Sequence, residues 1–309
     1  MSLSLTSSRV VSLEPGRTSA PAGGAASAHQ GTPVTPATAG SGALRVVRRG
    51  ERSVAERVCA ASPLRLLTPR NHGDAAWVFT SSFGGGLVDG DRQVLDVEVG
   101  AGASAYLSTQ ASTKVYRSLR GAAAELRARV DEQALLVVAP DPVVCFADSR
   151  FHQRQEFELA RSGSLVVVDW VTSGRRESGE RWAFAHYTSR LIARVDGTLV
   201  VHDAVALRRE DGDLGARMGR FDVLAIVLVL GTPLLPHATA LVADLETEPV
   251  RRAASLLAVA GAVTHRREGN LGCVLRIAGP SVEDVGRSIR SALSFVPVLL
   301  GDDPWLRKW

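Results

Sequence analysis

The residues best suited to chemistry lie close together between positions 84 and 118. Asp89 and Asp91 flank a glycine that follows the triple glycine 84–86, and Thr109 and Gln110 stand in a run of short hydrogen-bonding side chains. Aspartate and glycine in this order favour a turn, so both carboxylates are expected beside a turn that leads into a strand. Paired carboxylates can do acid and base work, and carboxylate, hydroxyl and amide oxygens can contact a hard cation.

Three further carboxylates stand in contexts that require an explanation. Asp169 lies in the apolar sequence VVVDW, Glu180 in the glycine-containing sequence SGRRESGERW, and Asp203 in VVHDAVAL. A charge inside an apolar strand costs several kcal/mol unless it is paired or solvated internally. Asp169 is therefore expected either to pair with Arg175 or Arg176 or to face a polar channel. Glu180 has the same two readings, because the loop glycines allow a tight return towards Arg175.

The histidines and cysteines do not predict a fixed metal cage. The seven histidines never occur at metal-ligand spacing, and His202, which adjoins Asp203, is expected on the opposite face of the same strand. The three cysteines are far apart and form no CxxC pair, which predicts neither a disulfide framework nor a zinc site. The sequence contains no GxxxxGK[ST], HExxH or GxSxG motif, so the chain is not expected to be an enzyme.

Charge and targeting features point to a protein that works with other proteins in the cytoplasm. The chain has 36 Lys and Arg against 32 Asp and Glu, and Lys114 and Lys308 are its only lysines. The arginines are scattered, so nucleic-acid binding is not expected, whereas arginine suits protein interfaces through its bidentate pairing with carboxylates. The first residues lack a basic region followed by an apolar run, so neither secretion nor membrane insertion is expected.

The order of elements predicts a mainly β protein after a low-complexity extension. Residues 1–42 are rich in Ser, Thr, Ala, Gly and Pro and are expected to be disordered, which leaves residues 43–309 as one β-rich domain. Short runs with strand character recur between turn signals through that domain. The predicted strands are Arg45–Arg48, Ala76–Phe79, Val94–Val99, Ala105–Ser108, Leu135–Val138, Gln155–Ala160, Leu165–Trp170, Trp182–Arg194, Leu199–Leu207, Val223–Leu230 and Leu271–Ile277.

About two helices are predicted in the C-terminal third. The first would open at Pro249 and stop at Gly261, with apolar residues at helical spacing between them. The second would begin at Ser281, with Asp284 three residues later in the manner of a capping box, and continue to Val296.

Four blocks of sequence, taken in order, resemble a known family. They are GGGLVDGD at 84–91, STQASTKVYRS at 108–118, APDPVVCF at 139–146 and SGRRESGERW at 173–182. Together they resemble the urease accessory protein UreD, also called UreH, and the resemblance covers roughly residues 43–309. It implies an elongated, layered or helical β-structure with a helical appendage.

The resemblance also implies a function. UreD-like proteins are scaffolds of urease maturation, which bridge apo-urease and a UreF-like partner that in turn holds the GTPase UreG. The resemblance implies an internal polar tunnel that guides nickel to urease, with Ni²⁺ bound only transiently and no permanent cofactor. Carried over by motif, the tunnel-wall residues expected in this chain are Asp89, Asp91, Thr109, Gln110, Asp169, Glu180 and Asp203. Oxygen ligands hold nickel weakly compared with thiolates or imidazoles, and transfer needs weak sites.

Two alternatives of other classes remain open at this stage. One is a carbohydrate-active β-helix enzyme that uses paired carboxylates such as Asp89 and Asp91, although low aromatic content disfavours stacking on sugars. The other is a passive β-scaffold that recruits partners and conducts no metal. Substitutions in the tunnel wall would separate these readings.

Overall fold

The fold consists mainly of β-strands, as predicted. The computed structural model describes residues 38–247, 254–265 and 268–306. In chain order the strands are β1 (Ser41–Arg49), β2 (Arg52–Ala60), β3 (Leu64–Leu67), β4 (Ala76–Ser82), β5 (Arg92–Val99), β6 (Ser104–Thr109), β7 (Thr113–Val115), β8 (Ala122–Val130), β9 (Leu135–Val138), β10 (Val143–Cys145), β11 (Arg150–Leu159), β12 (Ser164–Thr172), β13 (His186–Val195), β14 (Thr198–Arg208), β15 (Val223–Leu230), β16 (Leu257–His265) and β17 (Gly269–Gly279).

Helices follow in the C-terminal part of the chain. They are α1 (Leu214–Met218), α2 (Leu235–Thr247), α3 (Val282–Ala292) and α4 (Val296–Leu300). The predicted extension, residues 1–42, lies almost wholly outside the described residues, and its last two members begin β1. No helix in the described ranges combines the length and apolar character that crossing a bilayer requires.

The strands form two sheets that face each other. Sheet A has the order β14-β13-β11-β8-β5-β1-β2, and sheet B has the order β16-β17-β15-β12-β9-β6-β4-β3, with short β10 joined to β12 and β7. From β4 to β13 the chain passes repeatedly between the sheets, and neighbouring strands of these turns run parallel. The result is a flattened, layered β-coil, which confirms the predicted fold class.

Most strand predictions are confirmed, and the alternation of apolar residues explains why. In β5, Leu95, Val97 and Val99 are buried whereas Asp96 and Glu98 are exposed, as a half-buried strand requires. Two strand starts were clearly wrong, because the strand predicted from Gln155 begins at Arg150 and the strand predicted from Trp182 begins at His186. Trp182 instead adopts a positive φ of 53° in the preceding loop, a backbone conformation that a strand does not use.

One predicted helix is confirmed and the other is misplaced. Ser281 caps α3 by accepting a hydrogen bond from the backbone N–H of Asp284, although the helix ends at Ala292. The helix predicted from Pro249 to Gly261 is wrong where the structure describes it, because Leu257–His265 pairs with β17 as an edge strand. The first part of that prediction, 249–253, lies outside the described residues. The missed helix α2 carries proline in its first turn, where proline is tolerated.

Three apolar cores hold these layers together. The large inner core lies between the sheets and includes Val97, Phe157 and Val167. The small inner core also lies between the sheets, towards the other end of the strands, and includes Phe151 and Val171. The helix-side core packs sheet B against the C-terminal helices. The two inner cores therefore leave a band between them, and that band contains the candidate site.

Candidate metal path between the sheets

Strand β11 places two glutamines inside the molecule. Its inward-facing series begins with Phe151 of the small inner core and ends with Phe157 and Leu159 of the large inner core, and Gln153 and Gln155 stand between Phe151 and Phe157. Gln153 is in register with Ser189 on β13 and, through β8, with Gln93 on β5. Sheet A therefore contributes a polar row that crosses several strands between its two apolar regions.

Sheet B contributes a facing polar row. On β12, Asp169 stands between Val167 of the large inner core and Val171 of the small inner core. Asp169 pairs in register with Ile226 on β15, and Ile226 pairs in register with Arg276 on β17. On the other side of β12, Thr109 of β6 continues the row. We refer to the combined rows as the polar layer, which consists of Thr80, Gln93, Thr109, Asp141, Gln153, Gln155, Asp169, Ser189, Asp203 and Arg276.

Asp169 joins the two sheets inside this layer. The side chain is buried, and its carboxylate accepts hydrogen bonds from the Gln153 amide, at 2.8 Å, and from the Ser189 hydroxyl. Burial raises the pKa of Asp169, nearby Asp203 raises it further, and the two hydrogen bonds oppose that rise. The predicted pair with Arg175 or Arg176 is not formed. Asp169 is instead a buried carboxyl held by neutral donors.

A cavity of about 130 Å³ runs through the polar layer, large enough for several water molecules. Asp169, Gln153 and Gln155 contribute to its wall, and so do Thr109 and Gln93. The side-chain nitrogen of Gln93 is buried without a hydrogen-bond partner in the protein. Buried donors of this kind are normally satisfied by water, so the cavity suits water molecules.

Thr109 is fixed by Asp141, which sequence reasoning did not single out. The Thr109 hydroxyl donates to the Asp141 carboxylate at 3.1 Å and accepts from the Asp141 backbone N–H at 2.7 Å. Gln110 points elsewhere, because its side chain is exposed and only its backbone contacts β4. Of the adjacent pair predicted together, the polar layer therefore contains only Thr109.

The ligand chemistry of the layer is that of oxygen donors. Burial raises the pKa of Cys145 to about 12 and that of Cys273 to about 11, so neither thiol supplies a thiolate at neutral pH. Within the described ranges, no group of three or more His, Cys, Asp or Glu is arranged to hold a metal ion. Any cation in the cavity would meet single carboxylates, hydroxyls and amides, which are weak ligands for nickel.

Asp203 belongs to the layer but is already paired. Its buried carboxylate on sheet A binds the guanidinium of Arg276 on sheet B. His202, its neighbour on β14, is exposed, which confirms that the two side chains point to opposite faces. Asp203 thus marks one end of the layer, where the carboxylate has a fixed cationic partner.

Asp89 and Asp91 lie in a surface structure that we call the double loop, residues 83–91 and 114–121. The Asp89 carboxylate accepts hydrogen bonds from the backbone N–H groups of Arg120 and Gly121, and Asp91 accepts from that of Val88. Partial desolvation alone would raise the pKa of Asp89, but these bonds and the Arg120 guanidinium hold it below its ordinary value. Both carboxylates therefore fasten loops, and neither joins the polar layer.

Glu180 also fastens a loop. Its carboxylate pairs with Arg175 and accepts a hydrogen bond from the backbone N–H of Ala147 at 3.1 Å, while the Arg175 guanidinium covers the Phe146 ring. This confirms the expected return of Glu180 towards Arg175. The rest of the segment forms a clamp, in which Arg176 and Arg181 both bind the buried carboxylate of Asp222.

Sequence reasoning missed several wall residues, and one group had a readable signal. In FHQRQEF the inward positions of a strand read Phe, Gln, Gln, Phe, so two polar side chains interrupt an otherwise apolar face. Ser189 and Arg276 carried no such signal. Their place in the layer depends on the register between strands far apart in sequence.

Comparisons with known proteins agree with the four sequence blocks. The family model described as "UreD urease accessory protein" matches residues 38–309. A urease accessory protein UreD of Sorangium cellulosum is 51% identical over 271 residues, which cover 88% of this chain and 85% of the relative. One from Anaeromyxobacter is 42% identical, covering 87% and 89%, and urease accessory protein D of Arabidopsis thaliana is 32% identical, covering 86% and 99%. The chain therefore belongs to the UreD family of urease accessory proteins.

Proposed function

We propose that this chain is a non-enzymatic maturation factor that passes nickel through its polar layer to apo-urease. Membership of the family supports a role in urease maturation. The passage of nickel through the interior of the protein is the part of the proposal that goes beyond family membership. Nickel is the cargo in this account, bound transiently, and the chain needs no resident cofactor.

The observation that carries the proposal is the setting of Asp169. It is a buried carboxyl on the wall of a polar cavity, it has neutral partners on both sides, and no ion pair within the described residues balances its charge. Burying such a group costs stability when it is charged, because burial raises the pKa and penalises the charged form. A cation passing through the cavity would be the missing counter-charge.

The remaining wall suits passage better than retention. Water molecules bound to a cation point their hydrogen atoms outwards, and the oxygen atoms of Asp169, Thr109 and Asp141 on the wall can accept from them. These groups are spread along the layer and do not converge on one point. Successive weak contacts allow an ion to move on, whereas a cage of thiolates or imidazoles would retain it.

The partners follow from the same role. We propose that the chain bridges apo-urease and a UreF-like protein in the cytoplasm, with the UreG-like GTPase attached through the UreF-like protein. The C-terminal helices are the surface we assign to the UreF-like partner. Val298 in α4 is 82% exposed and Leu306 in the turn after α4 is 80% exposed, and exposed large apolar side chains are typical of interface cores.

A cellular experiment tests this function. Cells with a complete set of urease genes would carry the wild-type chain, a deletion of it, or Asp169→Ala, at limiting nickel, and assembly would be followed by pull-down. The proposal expects the deletion and Asp169→Ala both to lose urease activity, with the complex still assembled in the variant. Full activation in the deletion strain would overturn the maturation role.

The passive scaffold is the second candidate, and one observation favours it. Both oxygens of Asp169 already accept hydrogen bonds, so the residue can be read as a polar fastener between the sheets. In that case Asp169→Ala would leave activation unchanged as long as the complex assembles. The carbohydrate enzyme gains no support, because Asp89 and Asp91 are engaged by backbone N–H groups of the double loop.

A further inference from the structure

The two ends of the polar layer differ in the side chains that they contain. At the end formed by β14 and β17, Asp203 from sheet A and Arg276 from sheet B form an ion pair across the gap between the sheets. At the end formed by β4 and β5, the wall includes Thr80 and Gln93, and the side-chain nitrogen of Gln93 has no partner in the protein. One end thus carries an ion pair, whereas Thr80 and Gln93 at the other end are uncharged.

The ion pair stands outside the cavity. Asp169 and Gln153 connect the sheets at the cavity wall, whereas neither Asp203 nor Arg276 contributes to that wall. Arg276 is separated from Asp169 by one strand, β15, on the same face of sheet B. The pair is therefore located between the cavity and the edge of the molecule formed by β14 and β16.

Burial of the pair shows which partner meets the solvent. The Asp203 side chain is 7% exposed and the Arg276 side chain is 38% exposed, so the carboxylate lies inside and the guanidinium is partly open to water. An ion that approached the layer from this edge would meet the positive charge first. Like charges repel, and the repulsion is larger for a divalent ion and in a partly buried site.

We propose that Arg276 closes this end of the polar layer to cations, so that nickel enters and leaves only through the remainder of the cavity. Arg276 acts in two ways. Its charge repels a divalent cation, and its contact with Asp203 occupies a carboxylate that would otherwise form a second strong anionic position next to Asp169. This inference depends on the proposed function, because it assigns a direction to the same path.

The two effects give an ordered prediction for isolated protein. Arg276→Met removes the cation and leaves Asp203 as a free buried carboxylate near Asp169, so Ni²⁺ should bind about tenfold tighter than to wild type. The double variant Asp203→Asn with Arg276→Met removes both charges. Attraction by the carboxylate and repulsion by the guanidinium are then lost together, so Ni²⁺ should bind about as tightly as to wild type and about tenfold more weakly than to the single variant.

The experiment is equilibrium dialysis of the purified full chain against Ni²⁺, with a chromophoric chelator as competitor. Arg129→Met is the matched control, because Arg129 is 74% exposed and pairs with Asp131 on the surface. It changes the net charge equally and should bind nickel as wild type does. Thermal unfolding of each variant shows whether it is folded.

The outcomes separate a gating role from a structural one. Tighter nickel binding by Arg276→Met, with the double variant near wild type, supports closure by Arg276. If Arg276→Met does not fold because Asp203 is left unpaired, Arg276→Gln, which removes the charge but can still donate a hydrogen bond to Asp203, takes its place. Equal nickel affinity of the folded single variant and wild type would overturn the inference. Urease activation does not enter this test, so its failure is distinguishable from failure of the maturation role.

Discussion

The Asp169 carboxylate on sheet B accepts a hydrogen bond from the Ser189 hydroxyl on sheet A, inside a layer that separates two apolar cores. The bond crosses the interior of the molecule. A hydroxyl is a neutral donor, so it satisfies the carboxylate geometrically without compensating its charge. Burial consequently raises the pKa of Asp169, and this property leads to the first prediction.

The stability contributed by Asp169 should fall as pH rises. The pKa of Asp169 in the folded protein lies above its value of about 3.9 in the unfolded chain. The contribution of Asp169 to the free energy of unfolding is therefore fully present below the unfolded pKa, and it is lost as pH rises through the folded pKa. Asp169→Asn removes this dependence. Between the two pKa values, the free energy of unfolding of the variant minus that of wild type should rise by about 1.4 kcal/mol per pH unit.

Urea unfolding at several pH values from 4 to 8 measures this difference. Asp131→Asn serves as the control, because Asp131 is a partly exposed carboxylate in a surface pair with Arg129. A difference between Asp169→Asn and wild type that stays constant over this range would contradict a raised pKa for Asp169.

The clamp around Asp222 should be important for stability. Asp222 is buried, and Arg181, which binds it, also donates to the backbone carbonyls of Phe221 and Gly219. Asp222→Asn leaves Arg176 and Arg181 without their shared carboxylate, and because both guanidinium groups reach solvent the loss should be about 2 kcal/mol, near that of hydrogen bonds to a charged group. Denaturant unfolding should show a loss of that size. The exposed pair of Arg129 and Asp131 offers the comparison, because Asp131→Asn should cost less than about 1 kcal/mol.

The double loop should loosen without affecting nickel. In Asp89→Ala the backbone N–H groups of Arg120 and Gly121 lose their acceptor. Hydrogen exchange should therefore become faster at these amides and at neighbouring positions of residues 114–121. Nickel binding by the purified chain should stay at the wild-type level, since Asp89 lies outside the polar layer. Reduced nickel binding by a folded Asp89→Ala variant would place Asp89 on the path after all.

The strands were predictable because their signal is local. Alternation in β5 and the continuous apolar run of β15 can be read from the residues themselves. The segment Leu257–His265 was misjudged because small apolar residues such as Ala and Gly fit a helical spacing and an edge strand alike. Its pairing with β17 decides the outcome, and pairing is a property of the tertiary structure.

The site was predictable only in part for the same reason. The apolar context of Asp169 correctly indicated a buried carboxylate that needs an explanation. Its actual partners, Gln153 and Ser189, come from the other sheet, 16 and 20 residues away in sequence. Arg176 lies closer along the chain but turns to Asp222. Which residues face each other across two sheets depends on how the chain coils, and a single sequence does not encode that in its spacing.

The most direct test of a nickel path is transfer from a purified assembly. Apo-urease would be combined with its accessory proteins and limiting Ni²⁺, with this chain as wild type, Asp169→Asn or the surface control Asp131→Asn. Metal analysis would give the nickel content of urease after separation. Our account predicts the same assembly for all three chains and at least about tenfold slower nickel transfer with Asp169→Asn alone. Equal transfer rates for Asp169→Asn and wild type in intact assemblies would contradict it.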